Sequence, residues 1–134
     1  DQETLQENLD IKLGEEFSNA FAKINKEDIL EKRIENLSTI LIKLYSKNQN
    51  IIRWSLRNIW RDKNLRKNMF SWNKILRSYV YSILPEILEK KKPEREIIFE
   101  CTSFIFFLRL KIVQSLSEDQ IKEIFVLNTK KYLS

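Results

Sequence analysis

One glycine and two prolines in 134 residues leave this chain with few means of making tight turns or interrupting helices. Apolar residues recur every three or four positions, the period of one helix face. The expected fold is therefore all-α, a single helical bundle of about six helices. The length suits one domain, residues 1–134, built on one core.

The same composition narrows the chemistry. There is no histidine, so no unperturbed side chain titrates near neutrality and no histidine-activated nucleophile or histidine zinc site can form. The single cysteine, Cys101, sits among Phe99, Thr102 and Phe104, where a thiol is usually inert, and it excludes an intramolecular disulfide. Asp10 with Glu15 and Glu16, and Glu27 with Asp28, read as solvated faces and first-turn residues that complement the helix dipole. Gly14 alone cannot make a phosphate-binding loop. The chain is expected not to be an enzyme and to need no metal or cofactor. Its cysteine usage fits a reducing, cytoplasmic compartment. Its richest apolar stretch, 97–113, is interrupted by Glu100, Arg109 and Lys111 and falls short of the roughly 20 apolar residues of a membrane span. No membrane partner is expected.

Charge is unevenly placed within a net +5. Residues 1–46 carry ten acids against six bases, whereas residues 47–77 carry nine bases against Asp62 alone. The basic third also holds Trp54, Trp60 and Trp72. Cations beside aromatic rings suit a phosphate backbone with stacked bases. On a helix, however, Arg53, Arg57 and Arg61 form one stripe opposite Ile52, Leu56 and Ile59, which is also ordinary amphipathicity with a solvated face.

Several boundaries are legible. Leu5, Leu9, Leu13, Phe17, Phe21 and Ile24 line a long first helix. Asn25 is expected to cap a second, in which Leu30, Ile34, Leu37, Leu41 and Leu44 form a packing seam ending near Tyr45. After the polar SKNQN break comes a short helix from about Ile51 to Trp60. Asp62 caps the next, whose stripe runs through Leu65, Met69, Trp72, Leu76, Tyr79, Ile83 and Ile87, with Pro85 kinking it or loosening its last turn. Pro93 suits the first turn of a further helix. Ser117 and Gln120 form a capping box, flanked by Leu116 and Ile121 as a hydrophobic staple, that opens the last helix at Glu118.

The helix starting near Pro93 is expected to be apolar on two faces: Ile97, Cys101, Phe104, Ile105, Leu108 and Ile112 on one, Phe99, Phe106, Leu110 and Val113 nearly opposite. In so small a chain, one of those faces is expected to meet a partner subunit.

The polar-faced opening helices, the segment RDKNLRKNMF beginning a long helix, the apolar helix and the closing SLSEDQIKEIF together resemble the C-terminal domain of TetR-family transcriptional regulators. The most specific points are the Arg61–Asp62 pair before a Leu-Arg helix and the acidic start and Ile-x-x-Ile-Phe core of the last helix. The resemblance implies an effector-binding and dimerisation domain, acting on DNA only through an N-terminal helix-turn-helix domain that this chain lacks. The start at Asp1, with Met69 as the only methionine, fits a cropped regulator. The last two long helices would form the homodimer interface, through Phe104, Leu108, Ile112, Ile121, Phe125 and Tyr132. The implied pocket draws on Phe17, Phe21, Tyr45, Trp54, Trp72, Leu76, Tyr79, Thr102 and Phe106. Few polar groups among these imply a small, largely apolar effector, aromatic or cationic, oriented by Tyr79 or Thr102. Two alternatives stand beside this one: a basic helical nucleic-acid-binding module and a helical protein-interaction adaptor.

Overall fold

The computed structural model describes residues 2–133, with side chains described at Asn8 and from position 10 onward. Leu5 and Leu9 of the expected first stripe lie outside the described side chains. The described residues form seven α-helices and one 3₁₀ helix: α1 (Gln2–Ala22), α2 (Leu30–Lys47), α3 (Gln49–Asn58), α4 (Lys63–Ile83), a 3₁₀ segment (Pro85–Glu89), α5 (Lys92–Glu100), α6 (Phe104–Ile112) and α7 (Glu118–Leu133). The all-α fold matches the sequence periodicity.

α2 is the central helix. Its seam of Ile34, Leu37, Leu41 and Leu44 is buried, together with Ile42 and Tyr45. It packs along α7 and also meets α1, α4 and α6. Phe17 and Phe21 of α1, Val80 and Ile83 of α4, Phe107 of α6 and Ile121 and Phe125 of α7 complete the core.

Side chains capable of local hydrogen bonds set several of the helix ends. Asp62 accepts from the backbone N–H groups of Asn64 (2.8 Å) and Leu65 (3.3 Å), satisfying two of the donors at the start of α4. The capping box of α7 closes reciprocally: Gln120 N–H donates to Ser117 Oγ (3.2 Å), and Ser117 N–H to Gln120 Oε1 (3.0 Å). Pro93 sits in the first turn of α5. Between α2 and α3 only Asn48 interrupts the helix, its side-chain amide donating to the Leu44 carbonyl at 2.9 Å.

Three boundaries differ from the periodicity. Asn25 caps a turn instead of α2: its Oδ1 accepts from Glu27 N–H at 2.9 Å, and α2 begins at Leu30 with no side-chain cap. Such an Asx turn is a local competitor of helix capping. Pro85 ends α4 instead of kinking it. The helix stops at Ile83 because the residue before a proline is driven out of helical geometry, and the stripe resumes at the buried Ile87 on the 3₁₀ segment.

The third difference is the largest. The expected single apolar helix through Val113 is two helices, broken at residues 101–103. The Thr102 hydroxyl donates back to the Phe99 carbonyl (3.0 Å) and lies 3.3 Å from that of Ile98. The Tyr45 hydroxyl takes the Thr102 carbonyl at 2.8 Å, and Ser103 Oγ accepts from Phe106 N–H to cap α6. Local bonds of this kind offer the backbone an alternative to continuing the helix. The face assignment that ran unbroken from Ile97 to Ile112 therefore does not hold across the junction.

Candidate ligand cavity

α1, α3, α4 and the α5–α6 junction line a half-open cavity of about 200 Å3. Each wall follows from helical spacing. α1 supplies Leu13 and Phe17; α3 turns Ile52 and Leu56 inward; α4 adds Leu65, Met69, Trp72 and Leu76; the broken apolar segment adds Phe99, Phe104 and Ile105. Tyr45 closes the cavity from α2.

Four of the nine expected pocket residues line this space: Phe17, Tyr45, Trp72 and Leu76. The other five have different places. Phe21 stacks face to face on Tyr79, ring centroids 4.9 Å apart, and Tyr79 borders a separate groove outside Trp72. Thr102 is buried with its hydroxyl engaged by backbone carbonyls, and Phe106 packs on Phe125. Trp54 points outward and is 46% exposed, because it lies beside Arg53 and Arg57 on the cationic side of α3.

Residues missed by sequence reasoning carry much of the lining. Phe104 had been assigned to an interface and Phe99 to the opposite face of one continuous helix; the break brings both to the cavity. Phe99 is braced from outside: Arg77 lies 4.2 Å from its ring centroid and forms a bidentate pair with Glu96 at 2.7 and 3.0 Å. That pair holds Glu96 below the usual carboxylate range, chiefly through the Arg77 hydrogen bonds.

The polar lining is sparse: Asp10, Ser55, Asn68, Asn73 and Ser103. Among the described residues Asp10 is its only charged member, and Asn68 Nδ2 donates to Asp10 Oδ2 at 3.2 Å. Tyr45 contributes its ring alone, since its hydroxyl is committed to Thr102, and burial pushes its ionisation well above the ordinary value. The lining can thus surround an apolar body and engage a few polar atoms at its edge.

The expected interface residues divide. Ile121 and Phe125 are fully buried in the chain's own core and Phe104 nearly so; Leu108 and Tyr132 are half-buried; Ile112 is 49% exposed. What α6 leaves open is a stripe of Ile105, Arg109 and Ile112, continued by Val113.

The cations of residues 47–77 lie outside the cavity. Arg57 and Arg61 with Trp54, and Lys63, Lys67 and Lys74 with Phe70, are exposed, and Trp60 at the α3–α4 corner is 82% exposed. Arg66 tightens that corner by donating to the carbonyls of Ile59 and Trp60. Among the described residues no group of three or more His, Cys, Asp or Glu side chains could hold a metal ion. Burial, and secondarily Glu100, raises the Cys101 thiol above its ordinary value. Among the described residues no helix is long and apolar enough to cross a membrane.

Comparisons with protein-family models, curated proteins and solved structures found no match for this chain.

Proposed function

We propose that the chain is the effector-binding and dimerisation domain of a TetR-like transcriptional regulator, with a largely apolar small molecule as effector. One observation carries the reading: a cavity of about 200 Å3, walled by aromatic and aliphatic side chains from α1, α2, α3, α4 and the α5–α6 junction. A core built only for stability closes such a space, since voids forfeit dispersion contacts. The ligand acts by population shift. It favours the arrangement of α1, α3 and α4 that closes on it, and a dimer transmits that arrangement to DNA-binding heads carried by another domain. The open Ile105, Ile112 and Val113 stripe of α6 supports a contact between copies, in place of the buried residues Ile121 and Phe125.

A panel of small lipophilic compounds in a thermal-shift assay tests the reading. Wild type gains several degrees with at least one compound, and Leu76→Trp, which fills the cavity, does not respond to that compound. Equal responses from both proteins count against the cavity.

A second reading is favoured by a separate observation. Arg57, Arg61, Lys63, Lys67 and Lys74 face outward beside Trp60 and Phe70, and none makes an ion pair among the described residues. This suits a single-stranded nucleic acid held by phosphates and stacked bases. Anisotropy of a labelled oligonucleotide, titrated with salt, separates the two: binding that weakens steeply with salt and is lost in Arg57→Glu/Arg61→Glu supports the second.

A further inference from the structure

All 24 lysine and arginine side chains of this chain are among the described residues, and none of them lines the cavity or the groove outside it. The groove, about 560 Å3, runs between α1 and α4, and its charged members among the described residues are Asp10 and Glu15. Asp10, Asn68 and Trp72 line both spaces, so the Trp72 indole stands between them with a carboxylate at the junction. Both concavities are thus acidic on a protein of net +5, and Asp10 belongs to the one third of the chain that is net negative.

The cavity wall is rich in rings: Phe17, Tyr45, Trp72, Phe99 and Phe104. Aromatic faces attract cations through the ring quadrupole, most strongly where water is excluded. Arg77, over the Phe99 ring, has its own charge paired bidentately by Glu96. The Asn68 amide, donating to Asp10 Oδ2, holds that carboxylate at the cavity edge.

Resting on the reading of this cavity as a ligand site, we infer that its ligand is a lipophilic organic cation, an aryl or alkyl ammonium, with its apolar body among the rings and its charged head at Asp10. A neutral hydrocarbon gains only burial there. An anion meets a carboxylate and negative ring faces, with no lysine or arginine in the lining to compensate.

Calorimetric titration with three probes of nearly one shape tests this: benzyltrimethylammonium, its neutral isostere neopentylbenzene, and the anion phenylmethanesulfonate. Wild type binds the cation at least about tenfold more tightly than the neutral probe, and the anion most weakly. Asp10→Asn, with its melting curve as a folding control, brings the cation close to the neutral probe. Leu76→Trp, which leaves Asp10 in place, loses all three. Equal or tighter binding of the neutral probe, or a preference that survives Asp10→Asn, overturns the cation inference while leaving the cavity as a binding site. Undiminished cation binding by Leu76→Trp places binding outside the cavity and overturns it too. No binding of any probe overturns both the inference and the reading beneath it.

Discussion

A single guanidinium, that of Arg33, ties the start of α2 to the end of α4, about 50 positions on. Its Nε donates to the Asp28 carbonyl (2.8 Å), Nη1 to the Ile83 carbonyl (2.9 Å), and the fork pairs with both oxygens of Glu86 at 2.9 and 2.6 Å. The bond to Ile83 satisfies one of the carbonyls that α4 leaves open where Pro85 stops it. The Arg33 hydrogen bonds hold Glu86 below the usual carboxylate range. A depressed carboxylate contributes stability above its unfolded pKa, near 4.3 for glutamate, and loses it as pH falls through the folded value. Glu86→Gln should therefore destabilise by about 1–2 kcal/mol at neutral pH, and chemical denaturation should show the gap to wild type narrowing in acid. Gly14 is a second residue-scale test. A Cβ there would lie 3.8 Å from Trp72 Cη2, ordinary contact distance, so nothing in the packing requires glycine in the middle of α1. Gly14→Ala should raise the urea unfolding free energy by about 0.5–1 kcal/mol through helix propensity.

At the scale of elements, boundaries were legible where one local signal acted alone, and were missed where local alternatives competed or a distant side chain took part. Asp62, Pro93 and the Ser117–Gln120 box act within a single turn, so the sequence signals where α4, α5 and α7 begin. The α5–α6 break combines the local bonds of Thr102 and Ser103 with one from Tyr45, 57 positions away from the Thr102 carbonyl it binds, and no periodicity records that last bond. The candidate site divides along the same line. Phe17, Tyr45, Trp72 and Leu76 stand on inward stripes that spacing predicts; Phe99 and Phe104 reach the cavity only because the helix is broken between them. Trp54 was avoidable, since it shares the outer side of α3 with Arg53 and Arg57. Tyr45→Phe leaves a buried carbonyl without its donor and should destabilise by about 1–3 kcal/mol. Amide exchange should quicken first around residues 101–106, whereas a uniform change would show that the bond does not hold the junction.

For the whole molecule, the helices sort into a dense part and an open part. α2, α7 and the inward faces of α1, α4 and α6 form the continuous core, while α3 has no fully buried residue and serves as the outer wall of the cavity. The face of α3 that meets the cavity is apolar and the face that meets water is cationic, so the ligand reading and the nucleic-acid reading concern opposite sides of one helix. One measurement separates them and tests the central claim, that the cavity is a binding site. Amide and methyl NMR spectra would be followed during titration with benzyltrimethylammonium. The account predicts saturable shifts clustered at Phe17, Leu76, Phe99 and Phe104, with Trp60 and Phe70 unmoved. Shifts confined to the outer face of α3 and α4, or none at saturating ligand, would contradict it.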